Sequence, residues 1–355
     1  MTLMKKHNFS AGPCILPQEV LQKAAKAVLN FNDIDLSLIE ISHRSADFVA
    51  VMDKATDLAL ELLDLKGKGY SALFLQGGAS LEFLMVPYNL MKENGKAAYL
   101  DTGVWSSKAI KEARLFGEVE VVASSKDKNY NYIPRGFEIP KDVDYFHCTS
   151  NNTIYGTQIK EFPKTDGILV CDMSSDIFSR KLDFSQFDLI YAGAQKNMGP
   201  AGATLVIIKD DILGNTNRQI PSMLDYKIHI AKESMFNTPP VFSVYVSMLT
   251  LEWLKDQGGI KAVEKLNSAK AELLYNEIDS NPLFEGAAAI EDRSNMNVTF
   301  LLKDDSKKDR FDDMCKDAGI NGIKGHRSVG GFRASIYNAM PIESIQVLVD
   351  IMRNL

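Results

Sequence analysis

Residues 168–202 read ILVCDMSSDIFSRKLDFSQFDLIYAGAQKNMGPAG, and the predicted architecture can be built outward from them. Two short apolar runs, Ile168–Asp172 and Leu189–Ala192, are typical of buried strands in a parallel sheet. The first run ends in Asp172, and the second leads into a segment of small residues that holds Lys196. Ligands of open α/β sheets bind at the carboxyl ends of the strands. We therefore expect this acid and this amine to face one site.

Similar apolar runs alternate with helical patterns through the first two thirds of the chain. This alternation predicts an α/β fold with a mostly parallel, seven-stranded sheet covered by helices. The other five strands are predicted at Ser71–Gln76, Lys96–Leu100, Glu118–Ala123, Asp144–Cys148 and Ala203–Ile208. Helices are predicted at Gln18–Asn30 after Pro17, at Ala46–Leu65 before Gly67, and at Ser106–Phe116 before Gly117.

From about Gly258 the pattern changes to that of a small α+β domain. A long helix is followed by a strand, a helix, a strand and a helix, predicted at Met296–Leu302, Lys307–Ala318, Arg333–Tyr337 and Pro341–Met352. We predict a large domain of residues 16–262 and a small domain made of residues 1–15 and 263–355. The chain has no internal repeat or Pro/Ser-rich linker, which favours an extensive interface between the two domains.

The composition limits the kinds of ligand and location. The chain has 355 residues, 40 basic and 46 acidic side chains, and a formal charge of −6 without charged blocks. Nothing in this distribution favours nucleic acid or a membrane surface, so an anionic ligand needs local charges. No signal-peptide pattern or run of 18 apolar residues occurs, which predicts a soluble, cytoplasmic protein. The four cysteines form no C-x-x-C pair or metal-ligand cluster, so we expect reduced thiols and no metal site.

The acid and the lysine at adjacent strand ends match the needs of pyridoxal phosphate. Lys196 would carry the cofactor covalently, and Asp172 would keep its ring nitrogen protonated so that the ring accepts electrons. The glycines near Lys196 allow a flat group to approach the backbone. Either residue alone is more often a surface lysine or a helix-capping acid, but the pair within these flanking residues favours the cofactor.

Two further features carry weaker signals. Residues 76–80, QGGAS, follow a predicted strand and open a helical pattern, so backbone N–H groups and the Ser80 hydroxyl could bind a phosphate. Such a Gly-Gly turn is more often only a turn. Trp105 follows another strand and could stack on a flat ring, although tryptophan more often serves packing. The QGGAS segment does not match G-x-G-x-x-G, which disfavours a nicotinamide-dependent dehydrogenase.

Several longer segments resemble the phosphoserine aminotransferases, in order along nearly the whole chain. They are NFSAGP (8–13), ISHR (41–44), YAGAQKNMGPAG (191–202), SMFNTPP (234–240), KGHR (324–327) and GFRASIYNAMP (331–341). The resemblance implies a fold-type I pyridoxal-phosphate enzyme that works as a homodimer in serine biosynthesis. It implies transfer of the amino group between L-glutamate and 3-phosphohydroxypyruvate, giving O-phospho-L-serine and 2-oxoglutarate. Whether the oxo acid that precedes 4-phosphohydroxythreonine in pyridoxine biosynthesis is also a substrate stays open.

The resemblance also implies roles for cofactor-binding residues. Those in the same chain are Lys196 as the cofactor-bearing lysine, Asp172 at the ring nitrogen, Trp105 as the stacking ring, and Thr153 and Gln195 around the ring. Ala79 and Ser80 occupy the phosphate-binding position, where some members carry Gly-Arg. The missing guanidinium would leave more of the binding to backbone donors and the helix end. Asn237 and Thr238 would reach the cofactor phosphate from the other subunit.

Substrate anions require fixed positive charges, and the chain offers two His-Arg pairs and one further arginine. In the family, the pairs matching His43-Arg44 and His326-Arg327 bind the substrate phosphate, one from each subunit, and the arginine matching Arg333 binds the α-carboxylate. Guanidinium groups suit this work because they bind planar anions in a bidentate manner. A single His-Arg dipeptide is more often a solvated surface pair, but here both lie within the resembling segments.

Two alternatives stay open. One is another class-V enzyme, such as an alanine–glyoxylate aminotransferase or a cysteine desulfurase. A desulfurase needs a reactive cysteine on a mobile loop, whereas Cys315 lies in a predicted helix. The other is a non-catalytic pyridoxal-phosphate-binding protein, because a shared fold does not establish an activity.

Overall fold

A seven-stranded sheet lies at the centre of the structure, a computed structural model that describes residues 6–355. The strands are β1 (His7–Asn8), β2 (Tyr70–Leu75), β3 (Lys96–Asp101), β4 (Glu118–Ser124), β5 (Tyr145–Thr149), β6 (Asn151–Asn152), β7 (Thr157–Gln158), β8 (Leu169–Asp172), β9 (Leu189–Gly193), β10 (Thr204–Lys209), β11 (Phe284–Gly286), β12 (Asn297–Leu302), β13 (Ile320–Asn321) and β14 (Phe332–Ser335). The α-helices are α1 (Gln18–Leu29), α2 (Ala46–Leu62), α3 (Gly78–Leu90), α4 (Val104–Ala113), α5 (Tyr226–Ala231), α6 (Val241–Asp256), α7 (Gly259–Ser280), α8 (Lys308–Asp317) and α9 (Ile342–Arg353).

The strand order of the central sheet is β2-β10-β9-β8-β5-β3-β4. Strand β10 is antiparallel to both of its neighbours, and the other pairs are parallel. The predicted α/β fold with a mostly parallel seven-stranded sheet is confirmed. The order makes β9, β8, β5 and β3 consecutive neighbours, so their carboxyl ends share one edge where a ligand site can form.

Helices cover both faces of this sheet. Buried apolar side chains of α1, α2 and α6 pack on one face, and those of α3 and α4 pack on the other. Helix α6 buries residues around most of its circumference, which explains why its sequence shows no single apolar stripe. No helix within residues 6–355 combines the length and the apolar character needed to cross a membrane.

The end of α2 differs from the prediction for Ala46–Leu65. The helix stops three residues earlier because Asp64 adopts the left-handed conformation, with φ 56°. The N–H of Leu65 then donates to the carbonyl oxygen of Leu60 over 2.8 Å, which closes the helix in a Schellman-type turn. An aspartate therefore takes the position that we assigned to Gly67.

Helix α4 also ends before the predicted Phe116. The predicted role of Gly117 as the residue that ends this helix is wrong. A Cβ at Gly117 would lie 2.4 Å from the carbonyl oxygen of Gly95, so the glycine allows two loops to approach closely.

The C-terminal third forms a separate apolar core. It contains residues of α7, α8, α9, β12 and β14 together with Phe9 and Ile15 from the N-terminal segment. Strand β1 pairs in parallel with β13, which ties the start of the described chain to this core. These contacts agree with a small domain of residues 1–15 and 263–355, but its boundaries stay a prediction, and residues 1–5 lie outside the described residues.

We expect this second core to depend on Phe311. Its ring is fully buried, and its centroid lies 4.7 Å from that of Phe332 and 5.6 Å from that of Phe284. Phe311→Ala should lower the free energy of unfolding by about 3–5 kcal/mol, because it removes apolar burial and leaves a cavity. Urea unfolding followed by circular dichroism measures the change. The control is Leu115→Ala at a side chain that is 76% exposed; an equal loss in both variants would contradict the expectation.

Candidate active site

Four neighbouring strands each lead to a predicted site residue. Strand β8 ends at Asp172, while Lys196 follows β9, Thr153 follows β5 and Trp105 follows β3. Because these strands are adjacent and parallel, the residues beyond their carboxyl ends meet above the same edge of the sheet. The candidate active site is therefore assembled by strand order from segments distant in sequence.

The amine of Lys196 is fixed by contacts with two of these residues. Its Nζ donates a hydrogen bond to the Thr153 hydroxyl over 2.8 Å. The same Nζ lies 5.5 Å from the centroid of the Trp105 ring, within range of a cation–π attraction. The side chain thus points into the site rather than into solvent.

The carboxyl group of Asp172 lies at the floor of the site. Its side chain is 5% exposed, and its Oδ1 accepts a hydrogen bond from the backbone N–H of Ser174 over 2.9 Å. Burial raises the pKa of Asp172, while the charge of Lys196 and the bond from Ser174 act in the opposite direction. The group is therefore poised to be ionised when a positive charge lies beside it.

Burial has the reverse effect on the lysine. It lowers the pKa of Lys196 to about 8; the charge of Asp172 opposes this shift, and the charge of Arg333 adds to it. Within residues 6–355 the amine and the carboxylate form no direct ion pair, since no such contact occurs within 4.0 Å. The two groups therefore act on each other by charge without a direct ion pair.

Tight packing shapes the segment around Lys196. The side-chain amide of Gln195 folds back over Gly193, where an added Cβ would lie 2.9 Å from the Gln195 Oε1. The N–H of Cys14 donates to the backbone carbonyl of Gln195 over 3.0 Å, so the N-terminal segment covers this turn. The absence of a Cβ at Gly193 thus lets the Gln195 amide lie close to the backbone, and the role of Gln195 at the site stays a prediction.

A group of cationic side chains lies on another side of the site. The Nη1 of Arg333 on β14 is 3.4 Å from the carbonyl oxygen of Thr153, and its Nε is buried without a hydrogen-bond partner. Burial, then the charges of Arg333, Arg327 and Lys108, lower the pKa of His326. Arg333 and Arg327 therefore lie near enough to His326 for their charges to act on it, and the roles of these three residues stay predictions.

Four other predicted residues are not joined to this group by contacts within the described chain. Arg44 is exposed, and the Nε2 of His43 is buried without a partner. Asn237 and Thr238 are also exposed, with the carbonyl oxygen of Thr238 accepting a hydrogen bond from the side chain of Gln76 over 2.5 Å. Arg44, Asn237 and Thr238 are therefore exposed to a second molecule, whereas the Nε2 of His43 is not.

The predicted phosphate-binding turn lies at the start of α3. Gly77 caps the helix with φ 97°, and Gly78 follows with φ 66°. No side chain caps the helix, and Ala79 and Ser80 lie in its first turn. The first-turn N–H groups therefore lack helical partners and can bind an anion.

Sequence reasoning did not single out two residues in this region. Ser174 positions Asp172 through its backbone, and the Asp-x-Ser spacing of an Asx turn could have indicated it. The Nζ of Lys108 lies 4.5 Å from the centroid of the Trp105 ring. The three-residue spacing between Trp105 and Lys108 on one helix could have indicated this contact.

The geometry fits pyridoxal phosphate. A covalent link needs the inward-facing amine of Lys196, and a protonated ring nitrogen needs the buried carboxyl of Asp172. A flat ring needs a stacking surface, which the partly buried indole of Trp105 offers. The Nε1 of this indole has no hydrogen-bond partner. Lys196, Asp172 and Trp105 therefore offer the groups that pyridoxal phosphate needs.

Comparisons with known proteins agree with this geometry. Residues 6–348 match the family model for aminotransferase class-V. A phosphoserine aminotransferase from Flavobacterium johnsoniae is 73% identical over 352 residues, covering 99% of each chain. A solved structure concerning radiation damage of the Schiff base in phosphoserine aminotransferase has a TM-score of 0.95 and 47% identity, covering 99% of each chain. PLP bound phosphoserine aminotransferase from Trichomonas vaginalis has a TM-score of 0.93 and 36% identity, covering 98% of this chain and 100% of that one.

The pKa of Lys196 leads to a pH prediction for the cofactor-free protein. The rate at which an acylating reagent modifies Lys196 should rise with pH and level off above about 8, because only the neutral amine reacts. Mass spectrometry of the peptide that contains Lys196 measures this rate.

Two variants should move the midpoint of this pH profile in opposite directions. Asp172→Asn removes a charge that raises the pKa of Lys196, so its midpoint should fall. Arg333→Gln removes a charge that lowers this pKa, so its midpoint should rise. Shifts of the same sign in both variants would contradict this account of the charges.

Proposed function

Since the chain belongs to the class-V aminotransferases and, within them, to the phosphoserine aminotransferases, we propose how its residues divide the work of that reaction. The enzyme uses pyridoxal phosphate to exchange an amino group between L-glutamate and 3-phosphohydroxypyruvate, a step of serine biosynthesis. One observation carries the assignment of residues. The Lys196 amine, held by Thr153 beside the Trp105 ring, faces the buried Asp172 without a direct ion pair.

Lys196 is the residue that we assign to covalent attachment and proton transfer. When bound, pyridoxal phosphate supplies a carbonyl for attack by an amine and a ring that accepts the electrons left on the substrate Cα. The lowered pKa of Lys196 raises the fraction of neutral amine, which is the form that attacks. Once displaced by the substrate amine, Nζ of Lys196 would take up the Cα proton and deliver it to the former carbonyl carbon of the cofactor.

Asp172 and Trp105 hold and tune the ring. The N–H of Ser174 binds one carboxylate oxygen of Asp172, which leaves the other oxygen for a protonated ring nitrogen. A positive charge at that nitrogen would offset the cost of burying the carboxylate. Trp105 supplies the stacking surface, with Thr153 and Gln195 beside it.

The cofactor phosphate is assigned to the start of α3. The backbone N–H groups of Ala79 and Ser80 and the Ser80 hydroxyl supply donors from this chain. Asn237 and Thr238 of a second subunit would complete the set, since both are exposed here. Backbone donors then replace the guanidinium that some relatives use.

The substrate anions are assigned to the cationic group. Arg333 binds the α-carboxylate, and its contact with the backbone of Thr153 places it next to the residue that holds the Lys196 amine. His326-Arg327, with His43-Arg44 from a second subunit, binds the substrate phosphate. Thr153 thus contacts both Arg333, which we assign to substrate binding, and Lys196, which we assign to the chemistry.

A homodimer is proposed because exposed apolar side chains flank the residues assigned to act in trans. Leu36 is 50% exposed and Ile39 is 63% exposed in the segment before His43. Phe236 and Phe242 are each 37% exposed on either side of Asn237 and Thr238. Large apolar side chains exposed beside these residues favour an interface between proteins.

We propose a cytoplasmic location, which is supported by free cysteine thiols such as Cys148 and Cys171 on neighbouring strands. Use of the precursor of 4-phosphohydroxythreonine as a second acceptor stays a proposal.

The desulfurase alternative is disfavoured because Cys315 is buried in α8, where burial raises the pKa of its thiol to about 12.

The phosphate assignment predicts unequal losses in the two half-reactions. Arg44→Ala and Arg327→Ala should each lower kcat/KM for 3-phosphohydroxypyruvate by about 100-fold or more, because each removes a charge-assisted contact to a dianion. The half-reaction with glutamate should lose far less. Single-turnover absorbance of the cofactor measures both halves, and equal losses would show that these arginines do not bind the phosphate.

Mixed dimers test which subunit supplies each arginine. Lys196→Ala and Arg44→Ala proteins, inactive alone, should regain about a quarter of wild-type activity after subunit exchange, because half of the dimers then contain one intact site. The matched control combines Lys196→Ala with Arg327→Ala. If Arg327 serves its own chain's site, no mixed dimer contains an intact site. Recovery in the control but not in the first mixture would reverse the assignment.

A further inference from the structure

Lys108 lies at the rim of the active site on the same ring as the reacting lysine. It is one turn beyond Trp105 on α4, and its Nζ lies 4.5 Å from the ring centroid. The Nζ of Lys196 lies 5.5 Å from the same centroid. The sum of the two distances sets an upper limit of about 10 Å on the separation of the two ammonium groups.

No acidic partner neutralises Lys108. Among residues 6–355, no carboxylate lies within 4.0 Å of Lys108, Arg327 or Arg333. The chain carries an excess of acidic residues overall, yet these three cations have no acidic partner. Cations without such a partner attract an anion.

Lys108 belongs electrostatically to the same group as the predicted phosphate binders. Its charge adds to those of Arg333 and Arg327 in lowering the pKa of His326. The loop that carries His326 and Arg327 also packs beside α4, because Val329 contacts the small apolar cluster that includes Trp105. The Lys108 ammonium therefore lies near enough to the loop that we assign to the substrate phosphate for its charge to act on His326.

The charge state of His326 limits the positive charge that this chain's own His-Arg pair offers the phosphate. A lowered pKa favours the neutral imidazole at neutral pH, so His326 contributes a hydrogen bond rather than a full charge. Arg327 alone would then supply the positive charge of this chain at the phosphate. A phosphate dianion is bound better by two or more cations, and the ammonium of lysine acts as a mobile point charge beside a guanidinium.

We propose that Lys108 is a further binding residue for the phosphate of the acceptor, acting with Arg327, and that it sets the preference for phosphorylated over unphosphorylated oxo acids. This inference rests on the phosphate assignment proposed above. The stack on Trp105 holds the flexible lysine stem near the site before substrate arrives, which reduces the entropy lost on binding. Glutamate presents a single negative charge in place of the phosphate, so it should depend less on Lys108.

The first test compares half-reactions of the holoenzyme. Lys108→Met should lower kcat/KM for 3-phosphohydroxypyruvate by about 10-fold or more, and Lys108→Arg should restore most of it, because arginine keeps the charge. The glutamate half-reaction should change by less than about threefold. The matched control is Lys111→Met on the exposed part of the same helix, which should leave both half-reactions unchanged.

The second test measures binding without turnover. In a Trp253→Phe background, Trp105 is the remaining tryptophan and reports ligands by its fluorescence. Lys108→Met should raise the Kd for 3-phosphoglycerate by about 10-fold while leaving the Kd for glycerate unchanged, because only the phosphorylated ligand carries the dianion. Lys111→Met should change neither value.

The outcomes separate this inference from the function on which it rests. An active wild-type enzyme in which Lys108→Met behaves like Lys111→Met would overturn the role of Lys108 alone. Equal losses for phosphorylated and unphosphorylated ligands would also overturn it, because they would show that Lys108 only supports the Trp105 ring. A wild-type enzyme inactive on 3-phosphohydroxypyruvate would overturn the proposed function and this inference together.

Discussion

The active site depends on keeping a carboxylate and an amine close enough to attract each other without direct neutralisation. The N–H of Ser174 donates a hydrogen bond to Asp172, and Lys196 donates one to the hydroxyl of Thr153. Each charged group is therefore held by a neutral partner. A direct ion pair would satisfy both charges and would have to be broken before a ligand could enter. Because both groups are shielded from water, the charge of each still alters the pKa of the other. The separation keeps both groups available for chemistry.

The fold supplies this separation through strand order and a buried polar network. Asp172 lies opposite Tyr191 in the register of β8 and β9, and Lys196 lies in the turn beyond β9. The next residue, Asn197, accepts a hydrogen bond from the backbone of Asn338 over 2.9 Å. Asn338 in turn accepts a hydrogen bond from Asn267 of α7 over 2.8 Å. The turn that carries the reacting lysine is thereby fixed to the C-terminal third of the chain.

Lys270 extends this network to the strand that carries Arg333. Its fully buried Nζ donates to the carbonyl oxygens of Ile336 and Tyr337 over 2.9 and 2.7 Å. Burial lowers the pKa of Lys270 to about 7, so the amine can hold these bonds with little buried charge above that pH. The position of Arg333 relative to Lys196 is thus set by helix α7 as well as by β14.

Sequence alone predicted the features that depend on local pattern. The apolar runs before Asp172 and Lys196 gave the strands, and the spacing of the acid and the lysine gave the cofactor hypothesis. The antiparallel direction of β10 could not be predicted, because a short buried run has the same composition in either direction. Residue preferences likewise did not predict the end of α2, because Asp64 rather than a glycine adopts the left-handed conformation there. Thr153 was found only by resemblance, because no periodicity marks the residue that links Lys196 to Arg333.

Unsatisfied polar groups support the proposal that ligands and a second subunit complete the site. The Nε1 of Trp105, the Nε of Arg333 and the Nε2 of His43 are buried without hydrogen-bond partners. Each such group costs about 1–3 kcal/mol if it stays unpaired, so a ligand that supplies the missing bond gains binding free energy. Two of the three belong to residues of the central site, and the third lies in the segment assigned to the neighbouring site. Under the proposed function, the cofactor and the substrate would supply bonds to Trp105 and Arg333, and a second subunit would lie beside His43.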